Sequence, residues 1–593
     1  MTTGIQDDIE VAGESHDTHA AKLASTESDM DVVVLTQKNP YFEFNFIGTY
    51  VAICLGTMSS YGGFVMPATS LALINETIGP SPNITWVALV WTLAVSIGFT
   101  LVGRLSDIFG RRWFMIGCSS LALIGCIVGA TAQNVNTLIG GTVLIGLAAA
   151  GQLSSNYIIG ELVPVEHRGF ALSFIFLSGV PFAGFGPYIS RLFIANTKAG
   201  FRWDYYVSII VNGLALILFV ICYHPPKFDA LHRHRTRWQE VKDMDFMGIF
   251  LFTAGLLLLL MGLSWGGSLY PWKSAHVIST IIIGFVLCVL FVVWECYAGL
   301  RRPLLPMHLF RSRDYCVLVT ITTVGGMLYY SLNVLFSTEV GVLFTTDIVY
   351  AGLLSCAIGG GVALGQTIGG IILTPGGNQR WKLFASTIGT TAFTVALAGG
   401  TQRETAAALA TCAAICIGVL ESLAVVGVTI VIEDPSEMGA GAGAFGSIRS
   451  VGGVLATTIF TTILTNKVSS NTESIVIPAL LKAGLPLTSL KPFLTALASG
   501  NSGAITAVPG VTESIIGIAV AQTKVAYQKA FTVVYLSSLP FGVISIIAAF
   551  WAPNIKDLMT HDVVRRLDHG QSTIAGLKEG EHMELKEVVQ PSH

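Results

Sequence analysis

Glu421 stands in the run "CIGVLESLAVVG", with no other charged residue between Glu404 and Glu433. A carboxylate at the centre of a membrane costs about 2.5–3.5 kcal/mol or more, so one that persists there is functional by default. Two roles fit: a site that binds and releases a proton, or a buried partner for a cation. Arg449 lies about ten residues into the next apolar run, at similar depth, and supplies that cation. A pair that opens and closes would fill both roles. Neighbouring runs carry uncharged polar groups: Tyr61 in "SSYGG", Gln152 and Asn156 in "GQLSSNY", Tyr330 and Asn333 in "YYSLN", and Gln366. Each could line a cavity for a small molecule, or each could make a helix–helix hydrogen bond. An amphipathic ligand needs apolar and aromatic walls with a few such groups. A second charged stretch, "GRLSDIFGRR" (103–112), sets Arg104, Asp107, Arg111 and Arg112 between two apolar runs.

The elements that position these groups are transmembrane helices. Of 593 residues, 52% are hydrophobic and 12% charged, and mean hydropathy is +0.68. A soluble chain of this length would carry far more charged surface. Apolar runs read as spans at 46–70, 84–103, 113–132, 137–159, 170–191 and 204–223, then 246–264 and 276–295, then 315–337, 350–373, 381–400, 405–432, 440–465 and 531–551. The runs are continuous, which excludes a β-barrel, and lipid forbids an open sheet. The expected fold is an all-α polytopic membrane protein of fourteen spans. It has a six-helix half (46–223), a linker with two extra helices (224–314) and a second six-helix half (315–551) with a long external loop at about 466–530.

Lys and Arg concentrate in alternate loops, including Arg104, Arg111, Arg112, Arg168, Arg233, Arg301 and Arg380. The positive-inside rule places those loops, the acidic disordered tail 1–45 and the tail 552–593 in the cytosol. Sequons at Asn75 and Asn83 fall in the first outside loop and are candidate glycosylation sites. The ten Cys form no CxxC pair, and no GxxxxGK[ST] loop occurs. Metal, redox and ATP-driven chemistry therefore lack their residues, and neither an enzyme nor a cofactor is expected. The expected partners are a small-molecule substrate, protons and the lipid bilayer. Nucleic acid is not among them, and the chain is expected to be a monomer. The basic stretch "HPPKFDALHRHR" (224–235) suits anionic lipid better than metal.

Positive-inside placement explains the arginines of "GRLSDIFGRR". Gly103 and Gly110 permit a tight reversal with close helix approach. Asp107 needs another reason, and a helix cap is one. The halves also repeat: "GELVPVEHRG" (160–169) and "EDPSEMGAG" (433–441) each run acid, Pro, acid, Gly into a Gly-rich helix. "GRLSDIFGRRWFM" likewise matches "GGIILTPGGNQRWKL" (369–383) around Arg112–Trp113 and Arg380–Trp381. Repeated halves build a central site that alternates between membrane faces.

"GRLSDIFGRR" resembles the G-x-L-x-D-x-x-G-R-R/K signature of the major facilitator superfamily, at Gly103, Leu105, Asp107, Gly110, Arg111 and Arg112. The resemblance implies that these residues latch the cytoplasmic side shut, with Asp107 at a helix end held by arginine. Two helices between the halves, with "GFRWDYY", "DFMGIFL" and "PLLPMHLFRSRDY", resemble the fourteen-span drug:proton antiporters. "GLSWGG" and the tail "DVVRRL" resemble the fungal trichothecene efflux pump family. The departures are specific. Thr142 stands where that branch carries an Arg in the fourth span. Gly186–Pro187 keeps the helix-flexing start of the fifth-span pattern, but Ser190 and Arg191 replace its final glycines. The resemblance implies proton-coupled efflux of a small amphipathic toxin, drug or metabolite, from a plasma-membrane, vacuolar or vesicle location. A siderophore importer and a non-transporting sensor are the alternatives.

Overall fold

A computed structural model describes residues 44–553, apart from 80, 82, 164, 225–244, 267–269, 300–302, 306, 374–377, 433–437 and 500–507. Both tails and most of the basic 224–235 stretch lie outside the described residues, as do the side chains of Arg104, Asp107 and Asn156. The described chain is helical, with one isolated bridge between Gly266 and Tyr270. In an apolar phase each backbone N–H must find its carbonyl within the segment, and continuous apolar runs therefore close into helices. Where a helix starts at the surface, a polar side chain caps it: Asn134 accepts from the Thr137 amide and Asp245 from the Gly248 amide, both at 2.8 Å.

The first half comprises α1 (Phe44–Thr69), the short α2 (Leu71–Ile78), α3 (Trp86–Phe109), α4 (Arg111–Thr131), α5 (Val135–Leu162), α6 (Val165–Ala183), α7 (Gly186–Asn196) and α8 (Arg202–Cys222). Helices α6 and α7 are one span broken at Gly184–Phe185. Both of those amides bond the Val180 carbonyl, and Pro187 opens α7. The inserted pair is α9 (Phe246–Trp265) and α10 (Ala275–Tyr297). The second half comprises α11 (Arg313–Glu339), α12 (Ile348–Leu373), α13 (Gln379–Ala396), α14 (Arg403–Val431) and α15 (Met438–Asn471). It continues through α16 (Ile477–Lys482), α17 (Leu487–Ser499), α18 (Glu513–Ser537) and α19 (Leu539–Phe550).

Among the described residues, thirteen stretches are long and apolar enough to cross a membrane. The fourteenth expected span, α13, is the exception: Ser386, Thr387, Thr390, Thr391 and Thr394 are buried along it. Several of these hydroxyls return to their own helix, as Thr391 does to the Thr387 carbonyl at 2.9 Å. Helix α13 packs against α14 and α19 and completes the fourteen. The segment 466–530, expected as a loop, is largely helical. Helix α15 runs on to Asn471, α18 begins at Glu513, and between them Val476, Leu480, Phe493 and Ile515 bury a small core of their own.

The halves meet along two seams, α3 with α15 and α6–α7 with α12. Glycine makes both seams tight. A Cβ on Gly103 would lie 2.9 Å from the Gly439 carbonyl carbon and 3.1 Å from Ala440 Cα. One on Gly169 would lie 2.6 Å from the Gly370 carbonyl oxygen, and one on Gly352 2.9 Å from that of Pro187. The inserted pair rests on the first seam, where Leu256 and Leu260 pack with Leu93, Ile97 and Val454.

Candidate functional site

Helices α1, α3, α11, α12, α14 and α15 converge on one buried polar centre. Arg449 donates to Glu421 Oε1 twice, from Nε at 2.9 Å and from Nη2 at 2.5 Å. The Glu421 side chain is 3% exposed and that of Arg449 16%. Glu421 lies ten residues before the end of α14 and Arg449 eleven after the start of α15, about 15 and 16 Å along their helices. That is near the middle of a hydrocarbon core of about 30 Å.

The other Glu421 oxygen is held differently. Gln366 Nε2 donates to Oε2 at 3.1 Å, and the Tyr61 hydroxyl donates to Gln366 Oε1 at 3.4 Å. Tyr61 belongs to the first half and Gln366 and Glu421 to the second, so this chain of bonds crosses between halves. On its far side Arg449 Nη1 donates to the Tyr330 hydroxyl at 3.1 Å, and its guanidinium lies 5.2 and 5.8 Å from the Tyr330 and Tyr329 ring centroids. Such contacts stabilise a desolvated cation. Aromatic rings wall the centre. Phe64 stacks on Trp91 at 4.9 Å, and Tyr330 meets Phe64 edge-on at 5.4 Å. The Trp91 indole N–H is buried without a hydrogen-bond partner.

Sequence patterning thus points to five residues that the fold brings together: Glu421, Arg449, Tyr61, Tyr330 and Gln366. Two others are bonded outside this chain of contacts. Gln152 belongs to a network inside the first half, accepting from Ser60 at 2.8 Å and donating to Asn212 at 2.7 Å. Asn333 donates to the Tyr329 carbonyl of its own helix at 2.8 Å. Phe64, Trp91 and Tyr329 were missed because nothing in an apolar run distinguishes an aromatic wall from core packing.

At the end carrying the Gly103–Arg112 turn, Gly110 takes φ +84°, a conformation that favours glycine, and links α3 to α4. Arg111 is buried. Arg112 Nη2 donates to the Val220 carbonyl at 2.9 Å, near the C-terminus of α8, where a cation is favoured. The halves are bonded there as well, since Ser173 of α6 donates to the Thr367 carbonyl of α12 at 2.9 Å. At the opposite end Arg191 Nη2 donates to Ser337 of α11 at 3.1 Å. Contacts between halves therefore exist toward both ends of the bundle. Asn75 lies on α2, with its side-chain oxygen accepting from the Ser81 amide at 2.9 Å, and Asn83 lies in the turn before α3.

Comparison with known proteins places this arrangement. The family model for the fungal trichothecene efflux pump (TRI12) matches residues 7–583. The trichothecene efflux pump TRI12 of Trichoderma arundinaceum is 30% identical over 534 residues, covering 88% of each chain. That of Fusarium sporotrichioides is 28% identical over 532 residues, again covering 88% of each. Among solved structures, the proton:xylose symporter XylE, an E. coli protein, superposes with a TM-score of 0.50 at 14% identity, covering 87% of this chain and 98% of its own. That likeness shows the major facilitator fold. The fold is a transporter's, not an enzyme's, and the chain belongs to the fungal trichothecene efflux pump family of major facilitator transporters.

Proposed function

We propose that this chain exports a small amphipathic molecule in exchange for protons by alternating access, with Glu421 as the proton carrier and Arg449 as its switchable partner. The observation that carries the reading is how the two Glu421 oxygens are divided. Oε1 is occupied by Arg449, while Oε2 faces Gln366, whose amide bonds Tyr61 of the other half. A proton on Oε2 turns that acceptor into a donor. Gln366 must then present its oxygen to Glu421 and its amide N–H to Tyr61, whose hydroxyl changes from donor to acceptor. Protonation also weakens the hold on Arg449. One proton thus reverses the bond between halves and weakens the ion pair together. Phe64, Trp91 and Tyr330 offer flat apolar faces to a substrate in the same place. The related pumps make a trichothecene the first compound to test.

The experiment is uptake of a radiolabelled trichothecene by inside-out vesicles under an imposed pH gradient. Accumulation that collapses with a protonophore is expected, and uptake indifferent to the gradient would overturn the coupling. Uptake only by right-side-out vesicles would instead indicate import.

The basic loops support a cytosolic signature end with both termini there, and export from the cell assigns the protein to the plasma membrane. A C-terminal tag should bind antibody only after permeabilisation. Endoglycosidase should sharpen the band of the wild type but not of an Asn75→Gln/Asn83→Gln variant. A tag detected on intact cells would reverse the orientation. Detergent-solubilised protein should run as a monomer.

A further inference from the structure

The residues that break the fifth-span pattern, Ser190 and Arg191, sit at the end opposite the signature turn and are both buried. Arg191 Nη2 donates to the Thr69 carbonyl at the C-terminus of α1 at 2.9 Å and to the Ser337 hydroxyl of α11 at 3.1 Å. Ser337 also donates to that carbonyl at 3.1 Å and accepts from Ser355 of α12 at 3.3 Å. The guanidinium is thus held across the boundary between halves. Ser190 donates to Asp204 Oδ2 of α8 at 2.6 Å and lies 3.1 Å from the Ser70 hydroxyl. Among the described residues Arg191 Nε and Asp204 Oδ1 are buried without a partner. Arg191 is 7% exposed and Asp204 3%, and no ion pair joins them to any described residue. The other buried acid nearby, Glu339, is engaged by the Tyr535 hydroxyl. A buried guanidinium and a buried carboxyl, each only partly satisfied, are therefore linked through consecutive residues of α7: Ser190 bonds Asp204, and Arg191 follows it.

We infer that Arg191 is a two-position lock for this end of the transporter: it bonds Ser337 of the other half when the end is closed, and Asp204 of its own half when the end opens. Opening carries Ser337 and the seam with α12 away, and the Gly352 backbone that now abuts the Arg191 side chain moves with them. A buried guanidinium left with one carbonyl needs a new acceptor, and Asp204 Oδ1 is a free carboxylate oxygen in its own half. Thr69 and Asp204 both belong to the first half, so Arg191 keeps one bond throughout and exchanges the other. Arg191 and Asp204 are positioning residues for transport; neither is placed on the substrate.

The inference rests on the outward assignment of this end. Native Cys356 of α12 is the reporter, being partly exposed and one turn beyond Gly352. Full-length protein in intact cells is exposed to a membrane-impermeant maleimide, and the Cys356 peptide is quantified by mass spectrometry. Ser337→Ala removes the closed-state partner alone and should raise the labelling rate about fivefold or more, the lower range of ordinary coupling between states. Asp204→Asn removes the open-state partner and should lower it by a similar factor. Arg191→Lys keeps the charge on a shorter-reaching donor, and should label between wild type and Ser337→Ala at normal surface level. A purely structural role would not move the two variants in opposite directions. Equal labelling in all variants, or a shift of both in one direction, overturns the lock. Wild-type Cys356 that labels only from the cytosolic side overturns the orientation instead.

Discussion

Glu421→Gln abolishes gradient-driven accumulation while the protein still reaches the membrane. The amide has the shape of the acid but never ionises, so it holds the centre in its proton-loaded form. Its nitrogen, placed where Oε2 now accepts from Gln366, meets a donor with a donor. Gln366 must turn, and the Tyr61 hydroxyl, now its donor, must become its acceptor. Arg449 keeps a weak acceptor in the amide oxygen, the Tyr330 hydroxyl, and two aromatic faces. Removing one partner of a fully buried pair costs about 3–5 kcal/mol. Here the loss is smaller, because Arg449 retains those contacts and 16% exposure. Expression therefore falls modestly, whereas transport against a pH gradient falls to background. Glu421→Asp, one methylene shorter but still titratable, retains part of the activity. The competing reading is a static pair. Under it Glu421→Gln acts through stability alone, and pairing it with Arg449→Gln restores expression and transport together. Vesicle uptake with surface quantification separates the two. A well-expressed Glu421→Gln protein with unchanged gradient dependence would remove Glu421 from the coupling.

The pair was legible because charge is rare in this chain. An acid and an arginine at matching depth in successive apolar runs have few other ways to be satisfied, and the fold joins them. Gln152 and Asn333 were no less polar, yet they bond within the first half and within α11. A side-chain amide carries no sequence mark that separates a cavity from a helix contact, because either surrounding satisfies the same donors and acceptors. The spans were legible from length and apolarity, which lipid enforces. The helices between Asn471 and Glu513 were not, since they are shorter than a membrane crossing and are stabilised by a local core around Leu480 and Phe493. Arg191 was visible only as a departure from a pattern. What it touches, a carbonyl of α1 and a hydroxyl of α11, depends on tertiary contacts more than a hundred residues away in sequence.

Gly103→Ala should reduce transport about fivefold or more, whereas Gly117→Ala should leave it unchanged. Both glycines lie inside helices, where alanine ordinarily gains up to about 1 kcal/mol. Their surroundings decide the sign. Gly117 lines a lateral cleft of about 470 Å³ between α3, α4 and α5, and nothing lies within 4 Å of the position its Cβ would take. At Gly103 the added methyl would lie 2.9 Å from the Gly439 carbonyl carbon and 3.1 Å from Ala440 Cα. These are backbone atoms of α15, which no rotamer change can withdraw, so the helices must separate. Overpacking of this kind costs about 1–3 kcal/mol. The contact joins the two halves, so that cost falls on the conformer in which this end is shut. An equilibrium displaced by 1–3 kcal/mol moves by roughly 5–150-fold. A transporter that must close this end once per cycle then populates the closed state less, and turnover falls with that population. Surface level should stay normal, because each half retains its own packing. A Gly103→Ala protein that transports like wild type would mean that the contact between Gly103 and Gly439 is not part of the closed cycle intermediate. Equal impairment by Gly117→Ala would mean that helix α4 responds to something other than the close approach of α3 and α15.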